Sequence, residues 1–110
     1  MTALQVKNIF DGLPQSGGEE EFLELFANRA VRIERIVSRS HRSPAGFWYD
    51  QDEDEWIMMV RGSAKLEFAG GEFVEIKAGD YLLIPEHAQH RVAETEAETI
   101  WLAVHLKPNR

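Results

Sequence analysis

Beyond residue 44 the apolar positions fall into short runs at the period of a strand, at 47–51, 56–60, 64–68, 73–76, 81–84, 90–92 and 99–106. Turn chemistry separates them: Arg61-Gly62-Ser63, Ala69-Gly70-Gly71, Lys77-Ala78-Gly79-Asp80 and Pro85-Glu86. These connections are too short for parallel crossovers, so the spacing predicts an antiparallel sandwich or barrel. Nothing in 44–107 carries a helical period. Upstream, Phe22, Phe26, Ala30, Ile33 and Val37 recur as one helical stripe, yet Val31, Ile33 and Val37 are β-branched and Asn28 offers a turn between two short runs. On the residues alone, a helix and a hairpin both stand. Segment 11–20 has the Gly, Pro, Ser and Asp of a loop, which makes residues 1–20 an N-terminal arm and loop, packed down by Leu4, Val6 and Ile9. Residues 21–110 then form a single domain.

Composition narrows the chemistry. Cysteine is absent, which excludes disulfides, thiolate zinc sites and thiol nucleophiles, so any metal must take N or O ligands. A net charge of -7 repels phosphate backbones and argues against a nucleic-acid partner. No apolar stretch reaches the length of a membrane span, and the N-terminus lacks the order of a secretory signal; a cytoplasmic location and no membrane partner are expected. The alternating acids Asp50, Asp52 and Asp54 suggest a calcium loop, but Glu55 stands where that loop needs Gly and Arg61 where it needs Glu. No phosphate-cradling glycine loop and no serine-hydrolase or zinc-protease signature is present.

Two spacings interlock. Glu55 is followed by six residues and Gly62, while Gly79 is followed by five residues and Pro85, with His90 five further on. In this the chain resembles the cupins, whose first motif is His-x-His, three or four residues, Glu, six residues, Gly, and whose second is Gly, five residues, Pro-x-Gly, two residues, His. The resemblance implies an all-β double-stranded β-helix, or jelly-roll barrel, and favours the hairpin over the helix in 22–37. It implies a site inside the barrel, with Glu55 and His90 as metal ligands. The two family histidines are replaced by Tyr49 and Gln51, and His87 stands where the family has glycine.

Along a strand Tyr49 and Gln51 share a face, so both would look inward. The expected metal set is Gln51, Glu55 and His90, suited to iron, manganese or zinc, with a small oxygenated metabolite in the open positions. Tyr49 or His87 would donate or accept the proton. The alternative is a non-catalytic binding or sensor module with a degenerate site. His87 could line the mouth or sit in a plain exposed loop; His105, on one face with Trp101 and Ala103, is a pocket residue or a surface one. The resemblance also implies a homodimer, formed through sheet edges and exposed apolar strands.

Overall fold

The computed structural model describes residues 4–15 and 19–108, so part of the expected loop at 11–20, the first residues of the arm and the last two of the barrel lie outside the described residues. Eight strands follow one another: β1 (Glu21–Ala27), β2 (Val31–Ser38), β3 (Asp54–Arg61), β4 (Ser63–Phe68), β5 (Phe73–Lys77), β6 (Tyr81–Ile84), β7 (His90–Thr95) and β8 (Thr99–Leu106). They form a five-stranded sheet, order β1-β2-β8-β3-β6, and a three-stranded sheet, order β5-β4-β7. All pairings are antiparallel and no helix occurs among the described residues, which is the jelly-roll barrel the sequence predicts.

The ambiguous segment is a hairpin. Asn28 closes its turn, because its side-chain oxygen accepts from the backbone N–H of Ala30 and Val31 at 2.8 and 2.9 Å. A register shift between Glu24 and Phe26 explains the misleading period. In a regular strand Phe22 and Phe26 would share a face, whereas here Phe22 pairs with Ile36 and Phe26 with Ile33, which lie on opposite sides of β2.

The core lies between the sheets, where Ile57, Met59, Trp101 and Ala103 meet Ala64, Leu66 and Ile76. Each comes from an inward position of a strand whose burial alternates. The strand expected over 47–51 is corrected: only one residue pair bridges there, Tyr49 with His90. The chain around it is instead held by loop contacts, among them His87 N–H donating to the Gln51 carbonyl at 2.6 Å.

The N-terminal segment is also held otherwise than expected. Leu4 and Val6 are 99% and 100% exposed and pack nothing down. The anchor is Arg35, only 2% exposed, whose guanidinium donates to the carbonyls of Ile9 and Asp11 at 3.0 and 2.6 Å and pairs with Glu21 at 2.7 Å. A buried guanidinium is tolerable because its planar fork satisfies several acceptors at once.

Gly62 and Gly79 both adopt the left-handed region, with φ of 84° and 94°. They differ in their surroundings. A Cβ on Gly62 would collide with the Glu98 carbonyl oxygen and lie 2.8 Å from Thr99 Oγ1, while one on Gly79 meets nothing within 4 Å. Gly79→Ala is therefore expected to cost about 1 kcal/mol of conformational strain and Gly62→Ala clearly more. Denaturant unfolding of the two variants checks this; equal losses would show that the contact with Glu98 yields freely.

Candidate functional site

Alternation along β3 turns Glu55, Ile57 and Met59 inward and leaves Trp56 and Met58 outside, so a carboxylate enters the barrel in an otherwise apolar row. The same alternation in β8 buries Trp101, Ala103 and His105. Of the two positions open to it, His105 takes the pocket. It faces Glu55 directly across the β3–β8 ladder, and β7 brings His90 in from the opposite sheet. The resulting pocket has a volume of about 550 Å³, an apolar floor of Ile57, Leu66, Ile84 and Trp101, and a mouth that includes Asp50 and His87.

Three nitrogen-bearing side chains surround the Glu55 carboxylate. Gln51 Nε2 lies 3.5 Å from it, His90 Nε2 3.8 Å and His105 Nε2 3.9 Å. Burial pushes the Glu55 carboxyl above the ordinary carboxylate range, opposed by the charges of His105 and His90. The tautomer of His90 follows from its neighbours: Nδ1 sits 2.8 Å from the Ala88 carbonyl oxygen, which can only accept, so Nδ1 carries the proton and Nε2 is left to face Glu55. His105 Nε2 is 3.0 Å from Glu34 Oε1, and its buried Nδ1 has no hydrogen-bond partner, with Glu53 Oε1 at 3.7 Å.

Tyr49 stacks on His90 with ring centroids 5.4 Å apart. Desolvation, reinforced by Glu20 and Glu55, raises its pKa further above 10.0, so the side chain is a phenol and a proton donor at neutral pH, not a phenolate ligand. His87 lies at the mouth, its Nδ1 2.7 Å from Asp50 Oδ1, and its φ of 62° is the left-handed conformation. That conformation accounts for glycine being the residue the motif calls for at this position.

The structure thus brings together four of the five residues singled out in the sequence, Tyr49, Gln51, Glu55 and His90, and sets His87 apart at the rim. Sequence reasoning left His105 undecided and missed Glu34, which faces the pocket from β2. The available signal was the same for both: a polar residue in an inward row, legible once the inward row is known.

Among the described residues no group of three or more His, Asp or Glu side chains is already set as a metal site. The donor chemistry nonetheless fits a divalent cation. The Nδ1–H of His90 is held by a backbone carbonyl and its other ring nitrogen faces a desolvated carboxylate, with the His105 ring beside it; Gln51 turns its amide N–H to the same carboxylate and would have to present its oxygen instead to serve as a ligand.

Two titrations follow from this geometry. The raised Glu55 pKa means that metal-free protein draws stability from the protonated carboxyl below its ordinary value of 4.5 and loses it as pH rises through the raised value. Glu55→Gln is expected to flatten that loss in melting curves recorded with chelator; an unchanged pH profile would place Glu55 in water. The hydrogen bond to Asp50 raises the pKa of His87 above 6.5, and Asp50→Asn is expected to bring it back down in an NMR titration.

Comparison with known proteins agrees with the fold. The Cupin domain family matches residues 41–105. A crystal structure from Ralstonia eutropha, named as a candidate mannose-6-phosphate isomerase, is 41% identical, with a TM-score of 0.89 over 96% of this chain and 100% of that one. A conserved Streptococcus pyogenes protein is 14% identical, TM-score 0.79, covering 100% of this chain and 93% of its own, and shares the fold alone. A cupin superfamily protein of Desulfitobacterium hafniense, 14% identical, aligns with a TM-score of 0.75 over 87% of this chain and 84% of that one. No curated protein matches the chain. With the family matched over most of the length from 41 to 105, and the motif residues Glu55 and His90 on facing sheets of the barrel, the chain belongs to the cupin family.

Proposed function

We propose that the pocket holds a divalent metal through Glu55 and His90, with Gln51 and His105 completing the set, and that the protein is a metal-dependent enzyme acting on a small oxygenated metabolite. The observation that carries this reading is the His90 ring, locked by Ala88 with its free nitrogen directed at a buried carboxylate 3.8 Å away. A cation between such groups offsets the desolvation of both. Iron, manganese or zinc suits this N and O donor set, and such a metal would polarise a substrate oxygen. Tyr49, a phenol stacked on His90, would donate a proton to a ligand oxygen in the pocket.

Charge narrows the ligand. Six carboxylates line the pocket, those of Glu20, Glu34, Asp50, Asp52, Glu53 and Glu55, against one guanidinium, that of Arg32. A phosphorylated ligand would meet this field with repulsion, so the activity in the name of the Ralstonia protein is not carried over, and a neutral or cationic metabolite fits better. A second reading, a metal-poor binding or sensor module, is favoured by the replacement of two family histidines by Tyr49 and Gln51.

The test is elemental analysis of protein purified without chelator, followed by titration of the metal-free protein with zinc, manganese and ferrous iron. One metal per chain is expected, lost in His90→Ala and weakened at least tenfold in Gln51→Ala. Folded protein that takes up none of the three would overturn the metal site and leave the binding-module reading.

A further inference from the structure

At one end of the pocket the inward rows of three strands turn from apolar to polar in step. Ile36, Trp101 and Met59 stand side by side on β2, β8 and β3, then Glu34, Ala103 and Ile57, then Arg32, His105 and Glu55. Glu53, two residues before Glu55, lines the same end. This gathers three carboxylates, those of Glu34, Glu53 and Glu55, beside the single guanidinium of Arg32, which is 36% exposed. Two groups in this corner lack a hydrogen bond among the described residues. His105 is 4% exposed, and its Nε2 lies 3.0 Å from Glu34 Oε1; a carboxylate only accepts, so Nε2 carries the proton and the buried Nδ1 is a lone pair without a donor. Glu53 faces it with Oε1 3.7 Å away and has Arg32 at 3.9 Å, both beyond hydrogen-bond reach. Two acceptors thus confront each other with no hydrogen between them, which costs free energy in a desolvated corner.

We propose that this corner binds the ammonium group of a small aliphatic amine, which donates to His105 Nδ1 and Glu53 and balances the charge of Glu34. The proposal rests on the reading of the pocket as a metabolite site and deepens it by naming the ligand class; it does not need the metal. An ammonium offers three donors and a positive charge at neutral pH, so it answers the lone pair and the carboxylates together. A hydroxyl brings one donor and no charge, and a carboxylate brings neither a donor nor the right sign. Glu53, 17% exposed and without a hydrogen bond, is free to turn and admit an N–H between itself and the ring. The carbon chain on the ammonium then runs down the same rows to the apolar side chains of Ile36, Ile57 and Trp101, which a bare inorganic cation would leave unused. Hydrogen bonds from a charged donor are roughly twice as strong as neutral ones, which sets the sense of the selectivity. Recruiting His105 to a metal would cost its bond to Glu34, so in the metal-free protein the ring serves this corner.

NMR titrations of the full chain with propylamine, propanol and propionate, three ligands of nearly one shape, test the proposal in the presence of chelator. Propylamine is expected to bind at least tenfold more tightly than propanol and to move the ring resonances of His105, with propionate the weakest. Glu53→Gln is expected to weaken the amine at least tenfold and to leave propanol unchanged; Glu53 makes no hydrogen bond, so its variant keeps the fold. Glu72→Gln removes an equal charge from an exposed turn outside the pocket and is expected to leave the amine's affinity as it is. An amine held no more tightly than propanol overturns the proposal, as does a folded Glu53 variant that keeps the wild-type preference. Metal uptake is measured separately. Amine selectivity in a protein that takes no metal sustains the ammonium site, and metal uptake without that selectivity overturns it while the metal site stands.

Discussion

A carboxylate inside a barrel is the constraint around which this molecule is arranged. Glu55 enters because β3 must present Ile57 and Met59 to the core, and its side shares their side of the strand. Once there it has lost most of its hydration, a loss of several kcal/mol unless other groups answer it. Every element that reaches it brings such a group: Gln51 from the loop before β3, His105 from the adjacent strand and His90 from the other sheet. The family histidines that would stand at 49 and 51 are gone, yet the nitrogen count around the carboxylate is restored by β8. His105 thus brings a ring nitrogen beside the carboxylate from a different strand than the one that carries the family's paired histidines.

The strands beyond residue 54 were legible because their boundaries are written in turn residues and their interiors in β-branched and aromatic ones. The two motif spacings picked out Glu55 and His90, which the fold brings to 3.8 Å of each other inside the barrel. What failed did so for physical reasons. Residues 47–51 have a strand's composition, but local composition cannot register that only Tyr49 finds a ladder partner while Gln51 binds a loop amide. The hairpin in 21–38 carried a false helical period because a bulge near Leu25 moves Phe26 to the other face. His105 could not be assigned a side until the sheet order was known.

Arg35 shows the same limit from the opposite direction. Among the arginines of 29–42 it reads as one more surface charge, and it is the most buried ion in the described protein, gathering backbone carbonyls of a segment some twenty-five positions earlier. Backbone acceptors leave no mark in a sequence, so an anchor built on them is invisible there. Its contacts also mean that the segment 9–12 is held by polar geometry, with the apolar arm before it left free.

The position of β8 has a consequence for synthesis. It lies between β2 and β3, and it is the last strand in chain order, so a nascent chain has made both neighbours before the strand that joins them exists. Until residues 99–106 leave the ribosome, β2 and β3 each present an unpaired edge, and the carboxylate of Glu55 has only part of its company. Such edges are templates for pairing with other chains. The interval is short at ordinary elongation rates, but within it the protein is most exposed to misassembly, and a truncation just before Thr99 would make that interval permanent.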